Sequence, residues 1–154
     1  MNAFRIVSVN VSRKKGERKS PVPSISLRPA HGVEGDAHAG DWHRQVSLLA
    51  AEDIEYMRGK GAQVGPGDFA ENITTRNVDL STLQVGDRLM LGECELEVTQ
   101  IGKECHSRCS IYMRVGDCVM PREGLFARVV RGGWIQVGNE IGVKPQPALC
   151  HQTD

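Results

Sequence analysis

Two cysteines in a basic setting are the residues best suited to chemistry in this sequence. Cys105 and Cys109 follow a strand-like segment that ends near Ile101, and three neighbours can place positive charge beside them: Lys103, His106 and Arg108. A free thiol has a pKa near about 8.5, and nearby cations favour its thiolate form. The setting therefore indicates that Cys105 is a nucleophile, a persulfide carrier or a ligand for a soft metal centre. An inert, buried cysteine is more usual in an apolar run, such as the one around Cys94.

The same cysteines are open to a different interpretation, a structural zinc site. Cys105 and Cys109 lie close to Cys118 and His106, and all four are side chains that zinc accepts as ligands. The Cys-x3-Cys spacing fits such a site, although a second close pair is missing. A plain thiol redox sensor built on Cys105 and Cys109 is a third interpretation.

A second group of polar residues lies in a glycine-rich loop that runs into a strand. Residues 32–47 contain three acidic residues, two histidines and Arg44. Loops of this kind often border a site that a rigid scaffold holds in place. Arg44 can hold a phosphate through two parallel hydrogen bonds, and His43 beside it is a second candidate cofactor-binding residue. Surface turn chemistry is the alternative for His38 and His43.

Two further candidate ligands, Asn72 and Arg128, come from other parts of the chain. Asn72 follows a tight turn at residues 65–70, and its amide suits a pterin edge as well as a structural turn. Arg128 is predicted within a strand, on the same face as Phe126 and Val130. An arginine on an apolar strand face requires a buried anion or a partner at the barrel mouth, whereas an exposed edge arginine is the alternative.

Short strands separated by turns must position these residues. Seventeen glycines and seven prolines divide the 154-residue chain into short segments, as an all-β barrel or sandwich requires. Residues 93–98 alternate glutamate with Cys, Leu and Val, which predicts a strand with one buried face. Comparable strands are predicted at residues 4–9, 45–49, 88–91, 126–130 and 134–137.

One segment has a clear helical pattern. Ile54 and Met57 are three residues apart, acidic residues lie in the first turn and glycines mark the end, which predicts a helix over residues 51–60. A second short helix is predicted at residues 110–115. Residues 13–19 include five basic residues in seven, and we interpret them as a solvated loop in preference to a phosphate-binding loop.

Two six-residue segments resemble each other. Residues 84–89 and 136–141 both begin Gln-Val-Gly, and in each the glycine is followed by Asp or Asn before an apolar strand. The similarity predicts two equivalent corners of a barrel.

Composition limits the partners of this protein. Nineteen basic and nineteen acidic residues balance, so no global field draws the chain to nucleic acid or to an acidic membrane. No apolar run reaches the roughly 18 residues of a membrane span, and the N-terminus lacks a signal-peptide pattern. An odd number of cysteines, five, favours reduced thiols. We therefore expect a cytoplasmic, single-domain protein without a nucleic-acid or membrane partner.

Taken together, these segments resemble the MOSC family, named for the C-terminal domain of molybdenum-cofactor sulfurases. The matching stretches occur in the family's order from residue 32 to residue 141: residues 35–38, 43–49, 67–73, 83–91, 100–109 and 116–141. The resemblance implies a mainly β fold, a closed or partly closed barrel related to the barrel domain of pyruvate kinase, with one or two short helices. We assign residues 1–143 to this domain and residues 144–154 to a polar C-terminal tail.

The resemblance also implies a role in handling sulfur or the molybdenum cofactor. Cys105 falls at the place of the family's signature cysteine, which is thought to carry sulfane sulfur or to ligate molybdenum. Cys109 matches the second cysteine of stand-alone bacterial members with paired cysteines, and we name it as a second candidate molybdenum ligand. We expect the barrel mouth to hold molybdopterin through Lys103, His43, Arg44, Asn72 and Arg128.

The expected partners follow from the same resemblance. A pyridoxal-phosphate cysteine desulfurase would donate sulfur, and a molybdoenzyme or the molybdenum cofactor would accept it. This chain is expected to have no pyridoxal-phosphate site of its own. Sulfurtransferase-type or molybdenum-dependent activity would need a partner, so the sequence leaves open whether the chain is an enzyme.

Overall fold

Short strands dominate the structure. The computed structural model describes residues 4–15, 17–77, 80–102 and 124–144, and in those ranges it contains eleven strands, one α-helix and one short 3-10 helix. The strands are β1 (Arg5–Val11), β2 (Ser20–Val22), β3 (Ser24–Arg28), β4 (Gly32–Val33), β5 (Val46–Ala50), β6 (Ile73–Arg76), β7 (Arg88–Leu91), β8 (Cys94–Ile101), β9 (Leu125–Arg131), β10 (Gly133–Gln136) and β11 (Ile141–Lys144). Helix α1 spans Ala51–Gly59, and the 3-10 helix spans Leu80–Thr82.

The strands form two sheets. The larger has the order β11-β7-β8-β9-β5-β6-β1-β2, and the smaller has the order β10-β3-β4. Neighbouring strands are antiparallel except β5 and β6, which run parallel and are connected through α1. This connection follows from geometry, because parallel neighbours need a crossover between them.

The strand ladders do not close into a barrel within the ranges that the structure describes. Ladder pairing ends at β11 on one side and at β2 on the other. The outer edge of β1 is divided: Val9 to Val11 pair with β2, while Arg5 makes an isolated bridge to Glu140. The mainly β class is therefore confirmed, but the pairing does not confirm the expected barrel.

The helix and strands predicted from local patterns are present. Helix α1 ends at Gly59, one residue before the predicted boundary, and all six predicted strands lie within three residues of their expected limits. Alternation in β8 buries Cys94, Leu96 and Val98, and burial raises the pKa of the Cys94 thiol. The predicted helix at residues 110–115 lies outside the described residues.

Apolar side chains are buried in two clusters. The larger includes residues from strands of both sheets. The smaller lies under α1 and is formed by Leu49, Ile54, Met57, Ala62, Val64, Phe69 and Phe126. Phe126 thus connects the start of β9 to the helix, at the point where β5 enters α1.

The two similar sequence segments form equivalent turns. In each, the first glutamine donates its backbone N–H to the side-chain oxygen of Asp87 or Asn139 over 2.8 Å. The glycine of each turn has a positive φ, +100° or +96°, and donates its N–H over 2.8 Å to the carbonyl of Val98 or Ile6. The backbone N–H of Val98 donates back to the carbonyl of Asp87, and that of Ile6 donates back to the carbonyl of Asn139, each over 2.9 Å. The pattern is the same in both turns, as the sequence predicts.

Candidate functional site

A cavity of about 320 Å³ lies beside the glycine-rich loop, where β5 and β9 begin. Its walls include basic and aromatic side chains: Lys15, His38, Trp42, Arg44, Phe69 and Phe126. The glycine-rich loop contributes His38, Trp42 and Arg44 to the wall. The smaller apolar cluster contributes Phe69 and Phe126. The cavity is therefore both cationic and aromatic.

Arg44 is the residue around which this cavity is built. Its guanidinium carbon lies 4.7 Å from the ring centroid of Trp42 and 5.5 Å from that of Phe126, so two aromatic rings hold its position. Its Nε is buried, and no described residue accepts a hydrogen bond from it. A buried N–H of a charged group without an acceptor is costly. The cavity thus offers a preorganised donor that an anionic ligand would satisfy.

Trp42 connects Arg44 to the rest of the loop. Its Nε1 donates to the carbonyl of His38 over 2.8 Å. Lys15 Nζ lies 5.5 Å from the centroid of the same indole ring. Lys15 is exposed, so it adds positive charge at the rim of the cavity.

A buried ion pair lies behind the cavity. Lys19 Nζ lies 2.9 Å from Asp36 Oδ1, and both side chains have no exposed surface. Lys19 also donates to Ser12 Oγ over 3.0 Å, while the Ser12 and His38 backbone N–H groups donate to Asp36. Burial raises the pKa of Asp36, but the hydrogen bonds from Lys19 and the backbone outweigh it and lower the pKa overall.

This pair corrects the interpretation of residues 13–19 as a solvated loop. Lys15 is exposed as expected, but Lys19 is fully buried. The difference arises because Asp36, seventeen residues later, supplies the counter-charge that makes burial of the ammonium tolerable. Lys19 is a site residue that the sequence did not identify.

His38 completes the ring of contacts around Lys19. Its Nδ1 lies 2.9 Å from Lys19 Nζ. An ammonium group has only donors, so Nδ1 is the acceptor in this contact. The imidazole is 29% exposed and belongs to the cavity wall. The contact with Lys19 therefore fixes the orientation of the imidazole in the cavity wall.

Asn72 lies beneath the cavity and is fully buried. Its Oδ1 accepts from the Ser47 backbone N–H over 3.0 Å, and its Nδ2 donates to the Asn10 carbonyl over 3.2 Å. These bonds connect β1, β5 and the start of β6. The amide that the sequence proposed for a pterin edge thus joins strands in this structure, and its neighbour Ser47 reaches the cavity wall.

The turn before Asn72 is organised around a buried carboxylate. Glu71 accepts from the Gly67 backbone N–H and from Thr74 Oγ1, each over 2.8 Å. Burial raises the pKa of Glu71, and these hydrogen bonds offset only part of that effect. Gly67 has a φ of +88°, and a Cβ there would lie 2.1 Å from the carbonyl oxygen of Lys19. The glycine is required because the turn packs directly against Lys19.

Arg128 and His43 lie on a neighbouring cavity of about 490 Å³, whose wall also includes Trp42. Arg128 is 55% exposed and donates through Nε to Glu97 over 2.7 Å. His43 Nε2 lies 2.8 Å from Gln100 Oε1. Arg44 and Arg128 are therefore brought to adjacent cavities, and Trp42 contributes to both.

Arg128 lies two residues after Phe126 in β9, and Leu125, Ala127 and Val129 on the opposite face belong to the larger apolar cluster, so the alternation that the prediction used is kept. Phe126 and Val129 are buried, whereas Arg128 and Val130 are exposed. Phe126 is buried because it packs in the smaller cluster with residues of α1, whereas Arg128 is exposed, as in the alternative that the sequence left open.

The segment that carries Cys105, Cys109 and Lys103 lies outside the described residues. The residues on either side of it, Gly102 and Gly124, are described. Gly102 N donates to Gly124 O over 2.6 Å. Gln100 pairs with Phe126 of the Arg44 cavity, and its side chain contacts His43. In the described part of the chain, no group of three or more His, Cys, Asp or Glu side chains is arranged to hold a metal ion.

No helix within the described ranges combines the length and apolar character that a membrane crossing requires. A comparison of the sequence with curated proteins gives no significant match.

Solved structures share the fold. The YuaD protein of Bacillus subtilis superimposes with a TM-score of 0.78 at 16% identity, covering 95% of this chain and 98% of that one. YiiM from Geobacillus stearothermophilus gives a TM-score of 0.67 at 20% identity, with 91% and 74% covered. YiiM from Escherichia coli gives a TM-score of 0.68 at 17% identity, covering 96% of this chain and 72% of that one.

A family model identifies the sequence itself. The model of the MOSC domain matches residues 34–142, a range that begins in the glycine-rich loop and ends in β11. It includes His38, Arg44 and the turn around Glu71. With most of its length matched, the chain belongs to the MOSC domain family.

Proposed function

We propose that this protein binds molybdopterin, the organic part of the molybdenum cofactor, at the Arg44 cavity and acts on it or on its sulfur through Cys105. The observation that carries the proposal is the buried Nε of Arg44, which has no acceptor among the described residues. The family assignment adds the expectation of a molybdenum-cofactor role.

The residues around the cavity fit such a ligand. Arg44 and Lys15 supply positive charge for a phosphate, and arginine can bind it through two parallel hydrogen bonds. Trp42 and Phe126 hold the guanidinium in place, which lowers the entropy lost on binding. When bound, the cofactor would supply a molybdenum centre able to accept sulfur. Arg128 and His43, on the adjacent cavity, would contact parts of a ligand that extend past Trp42.

Cys105 would supply the reactive thiol. It lies three residues after Gly102, and three residues of chain span at most about 11 Å. As a thiolate it would attack the terminal sulfur of a donor persulfide. The sulfur–sulfur bond of the donor breaks, the donor leaves as a thiolate, and Cys105 becomes a persulfide without net oxidation or reduction. Direct ligation of molybdenum by Cys105, with Cys109 as a further ligand, would use the same thiol.

The donor would be a separate pyridoxal-phosphate cysteine desulfurase, and the acceptor a molybdoenzyme or the cofactor itself. Lys103 would favour the thiolate of Cys105 through its positive charge.

Purification from a cofactor-producing host tests the proposal. We expect bound pterin by fluorescence, and one added sulfur atom on Cys105 by mass spectrometry after incubation with a desulfurase and cysteine. Arg44→Ala should reduce cofactor retention roughly tenfold or more, because hydrogen bonds to charged groups are strong. Arg28→Ala is the control, since Arg28 forms an exposed ion pair with Glu34.

Cys105→Ser separates the main alternatives. It should abolish sulfur loading and leave the thermal unfolding midpoint nearly unchanged. A structural zinc site of Cys105, Cys109 and neighbouring ligands predicts co-purifying zinc and loss of the fold with this variant. That result, or normal cofactor retention by Arg44→Ala, would overturn the proposal.

A further inference from the structure

We infer that the second cavity, the one of about 490 Å³ beside Arg128, binds a neutral, flat group through the side-chain amide of Gln45. The chemical class that fits is a ring that presents a carbonyl oxygen or a ring nitrogen as hydrogen-bond acceptor. The juxtaposition that carries the inference is a buried amide with a spare donor in the wall of a cavity whose arginine is already paired. The inference goes beyond the proposed function, because it does not depend on what binds beside Arg44.

The backbone of β9 determines which end of the Gln45 amide is available. Gln45 is 3% exposed, and its Oε1 accepts a hydrogen bond from the Val129 backbone N–H over 3.0 Å. A backbone N–H can only donate, so the amide oxygen faces Val129 and Nε2 is the other end. No residue in the described part of the chain accepts a hydrogen bond from Nε2, although buried polar side-chain atoms usually have a partner. Nε2 is therefore the donor that remains for a ligand.

Close packing against β4 keeps Gln45 in this position. A Cβ at Gly32 would lie 2.6 Å from the carbonyl oxygen of Gln45 and 3.0 Å from its Cβ, so the two residues are in direct contact. Gln45 also immediately precedes β5, the strand that pairs with β9. An amide held in this way by neighbouring strands loses little conformational entropy when a ligand binds.

The charges of the cavity wall favour a neutral ligand over an anion. Arg128 donates through Nε to Glu97 over 2.7 Å, so its positive charge already has a counter-charge. The other charged residue of the wall, Asp41, is negative and exposed. The Arg44 cavity differs, because its lysine and arginine are both positive. The two neighbouring cavities therefore suit different chemical groups, an anion in one and a neutral acceptor in the other.

Aromatic side chains belong to the same wall as Gln45. The rings of Trp42 and His43 lie 5.8 Å apart at an angle of 72°, an edge-to-face contact. Gln100 donates through Nε2 to the Gly102 carbonyl over 2.8 Å, and its Oε1 lies 2.8 Å from His43 Nε2, which holds the imidazole in place. A wall that combines aromatic rings with one directional donor is typical of sites for flat polar ligands.

Gln45→Glu removes the donor with the smallest change of shape. One carboxylate oxygen can still accept from the Val129 N–H, but the other offers only lone pairs to the acceptor of a ligand. We expect this variant to bind uracil, a neutral ring with carbonyl acceptors, roughly tenfold or more weakly than the wild type at mildly alkaline pH. Gln63→Glu is the matched control, because Gln63 is exposed, and it should bind uracil as the wild type does.

Nuclear magnetic resonance of the ¹⁵N-labelled full chain gives the readout. Added uracil should shift the Nε2 resonances of Gln45, which are identified by their absence from Gln45→Glu. Aniline, a flat ring without a carbonyl, and benzoate, a flat anion, should each bind this cavity more weakly than uracil. The thermal midpoint and the Val129 N–H resonance verify that Gln45→Glu is folded. If it is not, the three ligand titrations of the wild type decide alone.

The outcomes separate this inference from the proposed function. Unshifted Gln45 resonances, wild-type uracil affinity in folded Gln45→Glu, or tighter binding of benzoate than of uracil would overturn the inference. Uracil shifts at Gln45 together with normal pterin retention by Arg44→Ala would overturn the proposed function and leave the inference standing. Pterin retention by Gln45→Glu distinguishes two sources of the bound ring: a loss assigns the ring to the cofactor, and unchanged retention assigns it to a separate molecule.

Discussion

Lys19 and Asp36 illustrate how single residues connect stability to the site. Two charges with no exposed surface remain tolerable because every hydrogen-bonding group of the pair has a described partner. A buried pair of this kind adds little net stability compared with apolar residues, but removing one partner is strongly destabilising. The pair therefore constrains evolution and mutagenesis at both positions.

Asp36→Asn tests this constraint. The variant keeps the shape of the side chain but leaves the Lys19 ammonium buried without a counter-charge, so we expect a loss of about 3–5 kcal/mol in the free energy of unfolding. Urea denaturation measures it. Glu34→Gln is the control, because the Arg28–Glu34 pair is exposed and should contribute less than about 1 kcal/mol. Equal effects of the two substitutions would contradict the assignment.

At the residue scale, the sequence identified Arg44 and the loop around it but not its surroundings. Arg44 could be proposed because its chemistry is intrinsic to the side chain. Lys19 could not, because a run of basic residues looks solvated until the tertiary structure brings Asp36 to it. Asn72 offered the right functional groups, and in the structure its amide also bonds to the strand residues Ser47 and Asn10.

The turn at residues 65–71 shows what an irregular element contributes. It has no regular secondary structure, but its backbone N–H groups converge on Glu71 and its glycine packs against the Lys19 backbone. The same turn places Phe69 and Ala70 in the cavity wall. Its geometry therefore influences the buried ion pair and the cavity together.

Gly67→Ala should be much more harmful than a substitution at a comparable glycine. Gly67 and Gly35 have similar positive φ values, +88° and +80°. A Cβ at Gly35 meets nothing within 4 Å, whereas a Cβ at Gly67 would overlap the Lys19 carbonyl. We expect Gly35→Ala to lower the free energy of unfolding by about 1–2 kcal/mol, the cost of an alanine in the left-handed conformation. Gly67→Ala should lower it clearly more. Thermal and urea unfolding of both variants provide the comparison, and a smaller cost at Gly67 would refute the packing argument.

Glu71 predicts a definite pH dependence. Because burial raises its pKa above the ordinary 4.5, the unfolded chain loses this proton at a lower pH than the folded chain. Its contribution to stability therefore falls as pH rises above about 4.5. Glu71→Gln cannot titrate, so the stability advantage of the wild type over this variant should shrink between acidic and neutral pH. Urea unfolding across that range checks the sign, and a constant or growing advantage would disprove it.

Some elements could be predicted locally and others could not. Helix α1 and strand β8 have clear periodicities, and both are confirmed. Strand β2 includes Pro21 and lies at a sheet edge, where proline is tolerated but gives no strand signal. Strand β6 has three consecutive buried residues from Ile73, so its pattern lacks alternation. These strands are stabilised by their neighbours more than by their own sequences.

At the scale of the whole molecule, two equivalent turns hold the ends of the larger sheet. One turn precedes β7 and contacts Val98, and the other precedes β11 and contacts Ile6, while β7 and β11 pair with each other. The mainly β class followed from the spacing of glycines and prolines. The expected barrel is not confirmed, and local patterns could not settle this point, because strand closure depends on how β1 divides its outer edge between β2 and Glu140.

Equivalence of the turns can be tested by exchanging their capping residues. Asn139 accepts a hydrogen bond through Oδ1, as Asp87 does in the other turn, so Asn139→Asp should change stability by no more than about 0.5 kcal/mol. Asn139→Ala removes the acceptor and should cost about 1 kcal/mol. Chemical denaturation measures both. Similar losses of stability in Asn139→Asp and Asn139→Ala would mean that the two turns share only their backbone shape.

The hydrogen bond between Gly102 and Gly124 has a consequence for how such proteins diversify. It brings together, within the sheet, the two points where residues 103–123 leave and rejoin the scaffold. When the ends of a segment are fixed in this way, doubling its length changes the closure free energy by only about 0.6 kcal/mol. Changes in the number of residues between these two glycines therefore alter the closure free energy little. The length of the cysteine-bearing segment can therefore vary between related proteins while the scaffold that forms the Arg44 cavity stays the same.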